Sequence, residues 1–103
     1  MQRKLYDKCF DIIDLSGKGI NNLTFDLITG IEFMLETIKH GDRILGGDII
    51  REEDGEYELS CDNWYSQSKD PETTFTDAMK YLKKYISYYP LLNWKVAITT
   101  SIY

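Results

Sequence analysis

The sequence predicts an α+β fold: one small sheet built around an antiparallel hairpin, helices packed mainly on one face, in the order ααββαβ. Three observations lead there. Apolar residues recur at helical spacing in three stretches, they alternate at period two in three others, and the dipeptide Asp54-Gly55 joins two of the alternating stretches as a hairpin turn. The 103 residues form one domain, residues 1–103, of a size that buries a core without disulfide staples.

Each element has its own reason. Residues 3–15 read as a helix because Leu5, Cys9, Ile12 and Ile13 share a face and Gly17 can close it in the left-handed conformation. A glycine- and asparagine-rich loop follows over 16–22. A second helix is expected over about 25–40, with Thr24 as N-cap, Leu27, Ile31, Met34, Leu35 and Ile38 as its stripe, and Gly41 as its stop. Lys39 and the sole histidine, His40, fall in its last turn, where positive charge suits the helix dipole.

The period then changes. Residues 44–52 and 56–64 read as strands, and a two-residue turn at Asp54-Gly55 pairs Arg51 with Glu58 and Ile50 with Leu59. In that register Tyr57, Leu59 and Cys61 share one face, and Asp48 lies beside Cys61. Either Gly46-Gly47 makes a bulge that turns Asp48 away, or Asp48 is an inward carboxylate with dedicated partners. Asp70 is an N-cap and Pro71 suits the first helical position of a third helix. Phe75, Ala78, Met79, Leu82, Ile86 and Tyr89 form its stripe, and Pro90 ends it. Trp94, Val96, Ile98, Thr100 and Ile102 alternate in a last strand.

Chemistry-bearing patterns are scarce. A Ser-His-Asp or Cys-His set would have to use His40, which reads as a surface or dipole residue. Cys9 and Cys61 read as small core residues. No Cys-x-x-Cys, His-Glu-x-x-His, EF-hand or phosphate-loop spacing occurs, so no metal, no cofactor and no enzymatic activity are expected. The longest apolar runs are three residues, too short to span a membrane, no secretory h-region follows the N-terminus, and two cysteines point to the reducing cytoplasm.

Charge is more telling. The net charge is −5, yet residues 48–62 alone carry seven acidic groups against Arg51. Such a segment repels nucleic acid and attracts a basic partner, or it is a solvated hairpin whose edge is blunted by charge. Glu52, Glu53, Asp54, Glu56 and Glu58 are therefore candidate partner-binding residues. Tyr65, just past the second strand, and Tyr81 and Tyr88, flanking the third helix, are candidate anchors, because tyrosine buries much area for few rotatable bonds.

The segment Leu45-Gly46-Gly47-Asp48, the acidic hairpin after it, and Asp62-Asn63-Trp64-Tyr65 together resemble the immunity protein 40 family of bacterial polymorphic-toxin systems. Leu23-Thr24 ahead of the second helix, and the later helix and strand, follow the same order, so the resemblance covers roughly residues 19–99. It implies a cytoplasmic bacterial antidote that occludes the active site of a cognate toxin domain, as in contact-dependent growth inhibition, and catalyses nothing. Many such toxins are nucleases with basic clefts, which an acidic inhibitor suits. Under this resemblance Gly46, Gly47, Asp48, Asp62, Asn63 and Trp64 are expected to hold the fold, with Asp48 accepting hydrogen bonds from backbone, Trp64 or Tyr65. Two other classes stay open: a regulatory or adaptor module without a toxin partner, and a small enzyme using Asp48, Asp62 or Glu58 on a divalent metal.

Overall fold

The computed structural model describes residues 1–103, the side chain of Leu92 excepted. The described residues form six strands and two α-helices: β1 (Gln2–Leu5), β2 (Lys8–Asp11), β3 (Leu23–Phe25), α1 (Leu27–Lys39), β4 (Ile44–Glu53), β5 (Glu56–Tyr65), α2 (Pro71–Tyr88) and β6 (Trp94–Thr100). The main sheet is antiparallel, in the order β3-β6-β4-β5, and β1 and β2 make a separate two-stranded ribbon. The α+β class holds, and from α1 onward the elements follow the expected order. None of the helices is long and apolar enough to cross a membrane.

The first quarter of the chain departs from expectation. Residues 3–15 are not a helix. They hold the β1–β2 hairpin, with Leu5 opposite Lys8 and Arg3 opposite Phe10. Its two turn residues, Tyr6 and Asp7, have φ of 54° and 61°, the geometry that matches the twist of paired strands. Alternation then decides burial. Leu5 and Phe10 face inward, while Cys9, expected in the core, is exposed. Gly17 closes no helix; it lies in a single 3-10 turn at Ser16–Lys18. Thr24 is not an N-cap but the middle of β3, paired with Ala97. Asp26 precedes α1 instead, its carboxylate held by Lys95 at 2.8 Å.

Both helices pack on one face of the sheet. Phe33 and Met34 of α1 and Ala78, Leu82 and Tyr85 of α2 meet Ile49, Trp64, Trp94, Val96 and Ile98 of the sheet. Leu35 and Ile86, expected in the helical stripes, are 47% and 38% exposed. The start of α2 is as the sequence predicts: Asp70 accepts from the Thr73 N–H at 3.0 Å and Pro71 is the first helical residue. One turn in, the buried Thr74 hydroxyl accepts from the Ile44 N–H at 3.0 Å, which ties α2 to the start of β4. On the other face Leu15 and Ile20, from the loop before β3, cover Ile50 and Ala97.

Two tail contacts complete the core. Tyr6 stacks on His40 at 4.6 Å, packs edge-on to Tyr103, and donates to Asp42 at 2.8 Å. β6 ends at Thr100, whose hydroxyl accepts from the Tyr103 N–H at 2.7 Å, so Ile102, expected in the strand, is exposed.

Candidate functional site

The expected hairpin register is observed. Glu53 faces Glu56, Glu52 faces Tyr57, Arg51 faces Glu58 and Ile50 faces Leu59, about the turn in which Asp54 and Gly55 have φ of 52° and 80°. Beyond Leu59 the register breaks. Ser60, Cys61 and Asp62 stand opposite Ile49 alone, and pairing resumes at Asp48–Asn63, Gly47–Trp64 and Gly46–Tyr65. Cys61 takes φ of 67° in this bulge and is exposed, so the expectation that it is a core residue is corrected. The Ser60 hydroxyl fastens the bulge, donating to the Ile49 carbonyl at 2.9 Å and accepting from the Asp62 N–H at 3.1 Å.

The bulge brings Asp62, on the helix side, level with Ile49 and near Arg51. There its carboxylate accepts from the Tyr85 hydroxyl at 3.0 Å and from Arg51 at 3.4 Å. Burial, then the hydrogen bond and charge of Asp62, push the Tyr85 hydroxyl up to about 12. Arg51 lies 4.1 Å from the ring centre of Tyr89 and 5.8 Å from that of Tyr85. A run of rings continues along α2: Trp64 on Tyr81 at 5.3 Å, Tyr81 on Tyr85 at 6.1 Å, Tyr85 on Tyr89 at 4.6 Å, with Trp94 edge-on to Tyr85. Nothing in the spacing of Asp62, Arg51 and Tyr85 announces this network, because the bulge that assembles it adds residues to one strand only.

The motif residues divide between two faces. Gly47 and Trp64 point to the helices, where Trp64 is buried. Gly46, Asp48, Asn63 and Tyr65 belong to the opposite, open face. Neither side-chain donor expected for Asp48 bonds to it: the buried Trp64 indole N–H, on the helix side, has no partner among the described residues, and Tyr65, 80% exposed, lines a hollow together with Asp48 without a hydrogen bond to the carboxylate. Asp48 is half-buried between Ala97 and Asn63.

The acidic residues gather at the free end of the hairpin. Glu53, Asp54, Glu56 and Glu58 are exposed and Glu52 is half-buried beside Tyr57. Lys18 pairs with Glu56, which holds the Glu56 carboxyl below its ordinary range, and Arg51 pairs with Asp62. Among the described residues no ion pair engages Glu52, Glu53, Asp54 or Glu58. Tyr65 stands at the other end of β5, about 25 Å away along the strand. The next residue, Ser66, is fastened twice: its N–H donates to the Leu45 carbonyl at 3.0 Å and its hydroxyl to Asp77 at 2.7 Å. Of the helical tyrosines, Tyr81 is partly buried within the ring stack, while Tyr88 is 70% exposed. Among the described residues no three of His, Cys, Asp and Glu converge as metal ligands would.

The site is thus an acidic hairpin end, an open sheet face and an exposed aromatic at its far corner. No curated protein and no solved structure matches the chain. A family model described as Immunity protein 40 does match, over residues 14–102, a span that takes in the motif strands, the acidic hairpin, both helices and β6. The chain therefore belongs to the immunity protein 40 family.

Proposed function

We propose that this protein neutralises a cognate toxin domain in the bacterial cytoplasm by binding it and covering its active site. The observation that carries the reading is the gathering of Glu52, Glu53, Asp54 and Glu58 at the free end of the hairpin, on both of its faces, with no ion pair to any of the four among the described residues. Uncompensated charge of one sign steers a partner of the other sign and raises its rate of encounter. A nuclease toxin fits best, since a cleft that holds phosphates has to be basic. Affinity comes from fewer groups. Tyr65 and, about 10 Å beyond Tyr81 along α2, Tyr88 are the two most exposed aromatics and so the anchors available. Tyr81, engaged between Trp64 and Tyr85, serves the fold.

The test is co-purification with the toxin domain encoded beside this chain, followed by assay of that toxin's activity and of growth protection. The expected result is a stoichiometric complex in which the toxin is silent. A toxin that stays fully active with this protein in excess would sink the reading.

A further inference from the structure

The open face of the sheet contains a hollow that the chain's own side chains leave unfilled. Asp48 lines it together with Gly46, Tyr65 and Thr99, and lines a second, adjoining hollow together with Asn22, Leu59 and Ala97. Three features of this hollow are independent of the acidic hairpin end. First, Asp48 is half-buried and its neighbours across the sheet, Ala97 and Asn63, carry no charge. Second, the basic side chain nearest along β6 on this face, Lys95, is committed to Asp26 at 2.8 Å. Third, the walls combine apolar and aromatic surface: Tyr65 is 80% exposed on one side of the carboxylate and Leu59 57% exposed on the other.

A partly desolvated carboxylate without a counter-charge favours a cation. The walls say which cation. A flat ring beside a carboxylate suits a guanidinium, which stacks on the ring and donates two parallel hydrogen bonds to the carboxylate, while an aliphatic wall suits its methylene stem. An ammonium can also sit over a ring, but it has no planar fork to match the carboxylate. We infer that this hollow receives an arginine side chain of the toxin, with its guanidinium on Asp48 and against Tyr65. This assignment rests on the toxin-binding reading above and adds a specific pocket to it. Gly46 also lines the hollow, and a Cβ there would run into the Trp64 carbonyl of β5.

Two variants test it from opposite directions. Asp48→Asn keeps the shape and removes the charge. Thr99→Arg, on the wall, supplies a guanidinium from within and occupies the hollow. Binding of the purified toxin domain by titration calorimetry is expected to weaken about tenfold or more in each, while melting curves match the wild type, or rise for Thr99→Arg. Among toxin variants in which each arginine is replaced by alanine, one should lose affinity with wild-type protein and lose no more with Asp48→Asn. Wild-type affinity in both variants, or the absence of any coupled arginine, overturns the assignment and leaves the toxin-binding reading intact. A wild-type protein that does not bind the toxin overturns both.

Discussion

The indole of Trp64 fills the space that a side chain at Gly47 would need. A Cβ there would run into the ring's Cη2 and Cζ3 and stand 2.8 Å from the Ala97 carbonyl oxygen. Gly47→Ala must therefore push Trp64 off Tyr81 or part β4 from β6. Overpacking of this kind costs about 1–3 kcal/mol, and for a domain of this size each kcal/mol lowers Tm by roughly 4–8 °C. Thermal denaturation followed by circular dichroism reads the effect; a variant melting with the wild type would show that the Trp64 stack does not hold the sheet.

Asp62 is the acceptor for the buried Tyr85 hydroxyl. Asp62→Ala leaves that hydroxyl unpaired and Arg51 without its carboxylate, which should cost about 1–3 kcal/mol. The same substitution removes one cause of the raised Tyr85 ionisation, so Tyr85 should titrate earlier. Chemical denaturation and absorbance at alkaline pH check the two halves separately.

Alkali should unfold the protein before it ionises every tyrosine. Tyr6 is pushed up to about 12 by burial and by its hydrogen bond to Asp42, and Tyr85 to about 12 by burial and Asp62. In the unfolded chain both ionise near pH 10. Below that pH both states hold the protons and the stabilisation is complete. Between about pH 10 and 12 the unfolded state releases them first, and stability falls as pH rises. A denaturation midpoint that stays constant from pH 9 to 11.5 would contradict this.

Charge reversal separates steering from stability. Glu53 and Glu56 are direct cross-strand neighbours of like sign. Glu53→Lys replaces that repulsion with attraction, so the melting temperature should hold or rise. Association with a basic toxin should nonetheless slow, and the wild-type rate should fall with added salt. Stopped-flow measurements at two ionic strengths decide it; a rate indifferent to both salt and substitution would remove the steering argument.

Two tyrosines make a matched pair. Tyr65 is 80% exposed, whereas Tyr81 stacks on Trp64 and Tyr85. Tyr65→Ala should leave stability alone and weaken toxin binding by about 1–2 kcal/mol, mainly through faster dissociation. Tyr81→Ala should instead lower stability, because it opens the ring stack. Wild-type dissociation kinetics in a folded Tyr65→Ala protein would pass the anchor role to Tyr88.

What could be read from the chain depended on how local its cause was. Asp54-Gly55 set the hairpin register, and Asp70-Pro71 set the start of α2, because each acts within a few residues. The first hairpin was hidden for the opposite reason. Leu5, Cys9 and Ile12 imitate a helical stripe, while the true turn uses Tyr6 and Asp7 at positive φ without a glycine to mark it. β3 is three residues long and exists through its pairing with β6, a partner no local pattern reveals. At the site, the acidic cluster and Tyr65 were visible as composition. The meeting of Asp62 with Arg51 and Tyr85 was not, since it follows from the bulge at Ser60 to Asp62.

The place of β6 also bears on how the molecule comes into being. It is the last strand in the chain, yet it lies inside the sheet, with β3 on one flank and β4 on the other. The β4–β5 hairpin and α2 can form early from neighbours in sequence, but β4 keeps a bare edge until β6 slides in. Long-range pairings of this kind are slow, and their unfinished intermediates are prone to stick to one another. Completion of the sheet therefore waits on the insertion of one seven-residue segment, Trp94–Thr100, between two strands that precede it.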